Sequence, residues 1–166
     1  MGEQRIVVRI LGLASTTRGF GFAVTEGPRR MVTWGLRRTP AQGAGVIKAL
    51  DEILRRSRPL FVAFDDEAAG KKRRRGRLFK DVVAKACDVH GIMILSIESG
   101  RTKALAGVPR PTKRDIGQAL ILLFPEVANK LPPRRKAWQS EDDRIGMFMA
   151  LAAAVCAWES FRGTQR

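Results

Sequence analysis

The hydrophobic pattern near the amino terminus predicts two strands joined by a tight turn. Residues 6–13 form an almost continuous apolar run, and residues 20–24 alternate apolar side chains with Gly21. A short polar segment, residues 15–18, separates the two runs. A continuous apolar run is typical of a strand at the centre of a sheet, and alternation is typical of its neighbour. The pattern therefore predicts a hairpin whose first strand is central and ends near Ala14, where a site could be built.

The rest of the chain predicts one more strand of this meander, followed by alternating helices and strands. Val32, Trp34 and Leu36 alternate as in a strand, and apolar residues from Val46 to Leu54 recur at helical spacing. Two short apolar runs indicate buried strands, and three further segments show helical spacing, the last with one apolar stripe. These segments are residues 60–64 and 92–97, then 78–91, 113–125 and about 143–161. The predicted order is β-β-β-α-β-α-β-α-α, a mixed central sheet flanked by helices in a single α/β domain of residues 1–166.

Acidic residues follow one predicted strand and precede the last predicted helix. Asp65 comes directly after the apolar run of residues 60–64, with Asp66 and Glu67 as near alternatives. Glu141, Asp142 and Asp143 stand before the final helix. Each could also have a plainer role, because Asp favours helix amino termini as a cap and as a partner of the helix dipole.

The charge of the chain indicates a polyanionic partner. Lysine and arginine exceed aspartate and glutamate by 15 in 166 residues, while the 45% of hydrophobic residues is ordinary for a globular domain. Anionic membrane is the rival of nucleic acid, but no basic amphipathic helix with aromatic anchors is present in the sequence. The cations form three groups, each of which could instead be a solvated face, and they are candidates for phosphate contacts. These residues are Lys71, Lys72, Arg73, Arg74, Arg75, Arg77, Arg101, Lys103, Arg110, Lys113, Arg114, Arg134, Arg135 and Lys136.

The cysteines and the amino terminus point to an intracellular protein. Cys87 and Cys156 lie in apolar helical contexts without the spacing of a metal site or a disulfide framework, so we expect reduced core thiols. The first five residues lack the apolar region of a signal peptide. The longest apolar run, residues 147–158, is shorter than a membrane span. His90 and Glu98 are expected to be structural and surface residues, respectively.

The opening hairpin resembles that of a known nuclease superfamily. Ile10, Leu11, Gly12 and Leu13, followed after one residue by Ser15, Thr16, Gly19 and Gly21, match the pattern that opens ribonuclease H-like nucleases. The match is best to the RuvC-type Holliday junction resolvases, and the predicted element order extends it over almost the whole chain. In that pattern the first strand ends in an Asp that holds catalytic metal. Ala14 occupies the matching position.

The resemblance implies a ribonuclease H-like fold and a catalytic set of acids at residue 14, Asp65 and Asp143. Glu141 and Asp142 share the third position as alternatives, and a second acid of that helix would fall on Gly146. It also implies two Mg²⁺ ions, replaceable by Mn²⁺, that cleave phosphodiesters of branched DNA, especially four-way junctions. The implied assembly is a homodimer without membrane contact, in the cytoplasm, nucleoid-associated or phage-encoded. Asp65, Asp142 and Asp143 are the expected metal ligands.

Alanine at residue 14 leaves two interpretations of activity. An Asp→Ala change engineered into an active nuclease would trap uncleaved substrate, whereas a natural pseudo-nuclease would bind branched DNA. The surviving acids favour the first interpretation, and we expect this chain to be an inactive variant. A ribonuclease H acting on RNA–DNA hybrids is the third alternative, which the long last helix disfavours. Phe79 or Trp138 could stack on an unpaired base, although packing is the commoner role of such residues.

Overall fold

Three consecutive strands open the fold: β1 (Ile10–Thr16), β2 (Gly19–Gly27) and β3 (Arg30–Arg38). The structure is a computed structural model that describes residues 7–39, 44–65 and 73–164, with only the backbone given for 73–75 and 164. β1 pairs antiparallel with β2, and β2 pairs antiparallel with β3. The predicted meander is confirmed, and β1 is the central strand that its continuous apolar sequence indicates.

Two parallel strands complete a five-stranded sheet. β4 (Phe61–Asp65) pairs with β1, and β5 (Met93–Ile97) pairs with β4, so the strand order is β3-β2-β1-β4-β5. The prediction that both late strands are buried is wrong for β5, because it lies at the edge of the sheet and Met93 is 63% exposed. An apolar run of this length does not distinguish a central strand from an edge strand.

Helices cover both faces of the sheet. α1 (Ala44–Ser57) and α2 (Arg73–His90) pack on one face, and His90 Nε2 of α2 lies 2.6 Å from Asp51 Oδ1 of α1. α4 (Lys113–Leu123) and α5 (Ile145–Thr164) pack on the other face. The sequence did not predict α3 (Ser99–Ala104) or the 3₁₀ helix Pro125–Lys130, because both are too short to show a periodic pattern. The mixed α/β class with flanking helices is confirmed.

The alternation of side chains along β1 and β4 decides which residues face which helices. Leu11, Leu13, Val62 and Phe64 point to α1 and α2, whereas Ile10 and Ala63 point to α5. Because successive side chains of a strand point to opposite faces, residues 12 and 14 of β1 and residue 65 of β4 face α5 as well.

The last helix is buried on all sides rather than along one stripe. Every residue from Ile145 to Trp158 except Met149 is buried, which corrects the predicted amphipathic helix. The prediction that the apolar run of this segment is too short to span a membrane is wrong, because α5 is long and apolar enough to cross a bilayer. The helix instead lies inside the fold, with 72% of its apolar window buried, as in a core helix.

Candidate active site

A cleft opens at the carboxyl ends of β1 and β4, beside the amino terminus of α5. Its walls come from β1, β4, α2, the first residue of α4 and the segment that precedes α5. Ala14, Asp65, Glu141, Asp142 and Asp143 all line it. The five positions predicted as a catalytic set are therefore brought together from three distant parts of the chain.

Ala14 and Asp65 lie side by side on neighbouring parallel strands. β1 and β4 pair in register up to Leu13 and Phe64, so Ala14 and Asp65 are the next residues on each strand. Both face α5, and adjacent strands are about 4.8 Å apart. A side chain at residue 14 would therefore lie directly beside the Asp65 carboxylate.

The Asp65 carboxylate is held by α3, which follows β5. Thr102 Oγ1 lies 2.7 Å from Asp65 Oδ2 and 2.9 Å from the carbonyl oxygen of Ser99. Thr102 is fully buried, and its hydroxyl proton can be donated to one of these acceptors at a time. A buried hydroxyl that donates to the carboxylate fixes its orientation toward the cleft.

Glycines let α5 approach the end of β1 and β2. A Cβ atom on Gly12 would overlap the Ala150 carbonyl oxygen, and one on Gly21 would overlap the backbone of Gly146. The first turn of α5 therefore lies directly on the hairpin, with Asp143 just before it. Gly146, where a second acid was expected to be missing, is required by this packing, because a Cβ there would lie 2.5 Å from Thr16 Cγ2.

Two of the acids before α5 are paired with protein cations. Lys113 Nζ donates to Glu141 Oε1 at 2.8 Å, and Arg144 donates to both oxygens of Asp142. The hydrogen bonds from Arg144 hold the pKa of Asp142 below its usual range. Thr112 and Asp115 form a capping box that fixes the start of α4 and thereby places Lys113 at the cleft.

The donor set of this chain does not fit the expected pair of metal ions. Ala14 offers no oxygen ligand, Glu141 is engaged with Lys113, and Asp142 is engaged with Arg144. Among residues 7–39, 44–65 and 73–164, no three Asp, Glu, His or Cys side chains are close enough to hold a metal ion. Magnesium sites need several hard oxygen ligands, so the missing carboxylate at residue 14 is decisive.

Two solved structures share this architecture. T. thermophilus RuvC in complex with a Holliday junction substrate is 18% identical to this chain, with a TM-score of 0.69 over 95% of this chain and 97% of that one. A second Thermus thermophilus RuvC structure is 21% identical, with a TM-score of 0.68 over 95% and 98% of the two chains. No protein-family model and no curated protein sequence matches the chain. This chain has the ribonuclease H-like fold of RuvC.

Two of the three predicted basic groups contribute a residue to the cleft of this RuvC-like fold, Gly76 from the first and Lys113 from the second. Gly76, within the basic run of residues 71–77, lines the cleft, and the run itself begins α2 at Arg73 rather than preceding the helix. Lys71, Lys72, Asp66 and Glu67 lie outside the described residues, as do the side chains of Arg73, Arg74 and Arg75. Arg77, Lys103, Arg110, Arg134, Arg135 and Lys136 are exposed. Their contacts with nucleic acid stay predictions.

Two other predicted contacts have partners within the protein. Arg101 donates to Ser160 Oγ at 2.5 Å and to the Cys156 carbonyl at 2.9 Å, which ties α3 to α5. Arg114 Nε donates to the Pro132 carbonyl at 3.3 Å. Both side chains therefore have structural roles, and DNA contact by either stays a prediction.

Sequence reasoning missed two residues of the site. Thr102 binds Asp65 from a helix too short to be predicted, and Lys80 lines the cleft from α2 with its Nζ 5.4 Å from the centre of the Phe64 ring. Lys80 lies three residues after the basic run of residues 71–77, and this proximity could have indicated that it belongs to the site. No sequence signal indicated Thr102. Two predictions for residues outside the site are confirmed. Glu98 is exposed at the surface, and Cys87 and Cys156 are free, buried thiols.

Proposed function

We propose that this chain is a structure-selective DNA endonuclease of the four-way-junction type whose acid set is incomplete at residue 14. In this form it binds branched DNA without cleaving it. The observation that carries the proposal is the meeting of Ala14, Asp65 and residues 141–143 in one cleft at the ends of the central parallel strands. Strand ends on a rigid sheet are where carboxylates from distant segments are held in fixed geometry.

Charge and structural likeness support DNA as the partner. The chain carries a formal charge of +15, and the side chains of Lys80 and Lys113 line the cleft. The RuvC structure with 97% of its chain covered is a complex with a Holliday junction substrate, a property of that protein that we extend to this one. Cationic groups without base-reading contacts give affinity that depends on backbone charge, while the shape of a branch supplies selectivity.

Metal-dependent hydrolysis requires an acidic residue at position 14, which this chain lacks. Asp at that position would stand beside Asp65 and near Asp143, and three carboxylates could hold the two Mg²⁺ or Mn²⁺ ions expected from the resemblance. Bound there, such ions would supply Lewis-acid chemistry for phosphodiester hydrolysis. In the present chain Lys80 is a cation of the cleft wall that can bind a phosphate, while Thr102 holds the Asp65 carboxylate from behind, and the acid set for hydrolysis is incomplete.

Two other functions are compatible with the same cleft. A natural branched-DNA-binding protein of the same fold is favoured by the pairing of Glu141 with Lys113, which gives an acid of the cleft a protein cation as its partner. A ribonuclease H would share the cleft, but the buried 20-residue α5 that follows the acidic segment favours the resolvase branch. We also propose a homodimer, because two symmetric strands of a junction call for two sites related by a two-fold axis.

Binding measurements test the proposal on the chain as it stands. A four-way junction and a linear duplex are built from the same sequences, and dissociation constants are measured from 50 to 200 mM salt. We expect tighter binding to the junction and a loss of about 10³-fold or more across this range, typical of six or more phosphate contacts. Equal affinity for the two DNAs at every salt concentration would contradict junction selectivity. Cleavage by the present chain would contradict the role assigned to Ala14.

A further inference from the structure

Trp138 differs from the other tryptophans in its exposure. The Trp158 indole is buried and donates to Thr25 Oγ1 at 2.8 Å, and Trp34 packs edge-on against Phe148. Trp138 is 77% exposed, the only aromatic side chain so exposed among the described residues. Phe79, the other candidate for base stacking, is 9% exposed and packs against Phe20.

A closed turn presents the Trp138 side chain. The Gln139 N–H donates to the Lys136 carbonyl at 3.0 Å, and the Lys136 N–H donates to the Gln139 side-chain oxygen at 3.0 Å. These reciprocal hydrogen bonds join the two ends of a four-residue turn in which Trp138 is the third residue. The indole is therefore carried by a fixed backbone, which lowers the entropy cost of using it for binding.

The surroundings of Trp138 are cationic. Residues 130–139 contain four lysines and arginines and no acidic residue. Lys130, Arg134, Arg135 and Lys136 are exposed, and Lys136 Nζ lies 5.4 Å from the centre of the Trp138 ring. An exposed aromatic ring among cations suits single-stranded nucleic acid, because the ring stacks on a base while the cations bind the adjoining phosphates.

The turn is also close to the cleft along the chain. Trp138 is three residues before Glu141, which lines the cleft and accepts from Lys113. Three peptide units span at most about 11 Å between Cα atoms. The turn is therefore near enough to the cleft for DNA held there to extend to it.

We propose that Trp138 stacks on an unpaired base at the branch point of DNA held in the cleft, and so favours branched over fully paired DNA. This inference rests on the proposed function and assigns a residue to its selectivity. A fully paired duplex keeps its bases stacked on each other and offers the indole no free face, whereas a branch point can offer one.

The test compares Trp138→Ala and Trp138→Phe with the unchanged chain on a junction and on a matched linear duplex. We expect Trp138→Ala to weaken junction binding by roughly 5- to 100-fold, the loss of one base–aromatic stack, with duplex binding unchanged. Trp138→Phe should keep most of the affinity, because phenylalanine also stacks. Leu122→Ala removes another exposed apolar side chain, outside the cationic segment, and should bind like the unchanged chain.

A fluorescent adenine analogue at the branch point gives a direct second measurement. Stacking of the indole on it should quench its emission with the unchanged chain and with Trp138→Phe, but not with Trp138→Ala. If the unchanged chain prefers the junction and Trp138→Ala binds it equally well, the stacking proposal is wrong while the proposed function stands. If Trp138→Ala weakens junction and duplex equally, Trp138 does not contribute selectivity. If the unchanged chain shows no preference for the junction, the proposed function fails first.

Discussion

Gly21 of β2 and Gly146 of α5 lie against each other with no side chain between them. A Cβ atom on Gly21 would overlap the carbonyl group of Gly146, so any larger residue would push the helix from the sheet. This contact sets the position of the α5 amino terminus, and with it the position of residues 141–143 relative to Ala14 and Asp65. The glycine of the opening motif therefore acts on the site through helix packing.

Gly21→Ala is expected to destabilise the protein strongly. Overpacking of a closed interface costs about 1–3 kcal/mol or more, and at this chain length each kcal/mol lowers the melting temperature by about 2–4 °C. Gly27→Ala, on the same strand with open space around its Cβ position, is the matched control and should leave the melting temperature within about 2 °C. Equal melting temperatures for the two variants would show that α5 can move away without cost.

Ala14→Asp is expected to create cleavage of four-way junctions that requires Mg²⁺ or Mn²⁺. The new carboxylate would stand beside Asp65 and complete a set of three acids. Ala14→Asn has nearly the same size without the charge and should stay inactive. Adding Asp65→Asn to Ala14→Asp should abolish cleavage and leave junction affinity nearly unchanged. Inactivity of Ala14→Asp with both metals, on junctions, flaps and hybrids alike, would identify the chain as a binding protein.

Metal binding by Ala14→Asp has a readout that does not depend on activity. A ligand that binds only the folded state at 100 times its dissociation constant stabilises it by about 2.7 kcal/mol. Saturating Mg²⁺ should therefore raise the melting temperature of Ala14→Asp by about 5–11 °C. The unchanged chain, which lacks a third carboxylate, should show no such shift. A similar rise for both proteins would mean that residue 14 is not part of the metal site.

Replacing Arg73, Arg74 and Arg75 by alanine is expected to weaken DNA binding and to reduce its salt dependence. These residues begin α2, and Gly76 next to them lines the cleft. Each lost phosphate contact should lower the slope of log K against log salt by about 0.9. Arg55 and Arg56, exposed on α1, are the control pair and should be replaceable without effect on the slope. An unchanged slope in the triple variant would place the run away from DNA.

The two cysteines are expected to resist alkylation in the folded protein. Burial raises the pKa of Cys87 to about 11 and that of Cys156 to about 12, so both thiols stay protonated at pH 8, and only the thiolate reacts. A raised pKa stabilises the folded state below the unfolded value near 9, and this contribution is lost as the pH rises toward 11–12. Iodoacetamide at pH 8 should label the thiols only after denaturation. Rapid labelling of the native protein would contradict their burial.

The local pattern of apolar and polar residues was sufficient to predict most of the strands and helices. Continuous apolar residues in β1 and alternation in β2 and β3 predicted the meander, and Asp65 was predicted at the end of β4, where it lies. These features depend on each residue and its near neighbours in sequence, so the sequence displays them directly. The edge position of β5 and the burial of α5 on all sides were not predicted, because they depend on what other elements cover.

The sequence by itself predicted the strand ends at Ala14 and Asp65 and the helix start after residues 141–143, and its resemblance to the RuvC-type resolvases made these the candidate catalytic positions. Only the tertiary structure decided what surrounds them. Thr102 donates to Asp65 from α3, Lys113 pairs with Glu141 across 28 residues of chain, and Trp138 is left exposed while Phe79 is buried. These contacts depend on how helices dock on the sheet, and docking is set by packing between residues far apart in sequence.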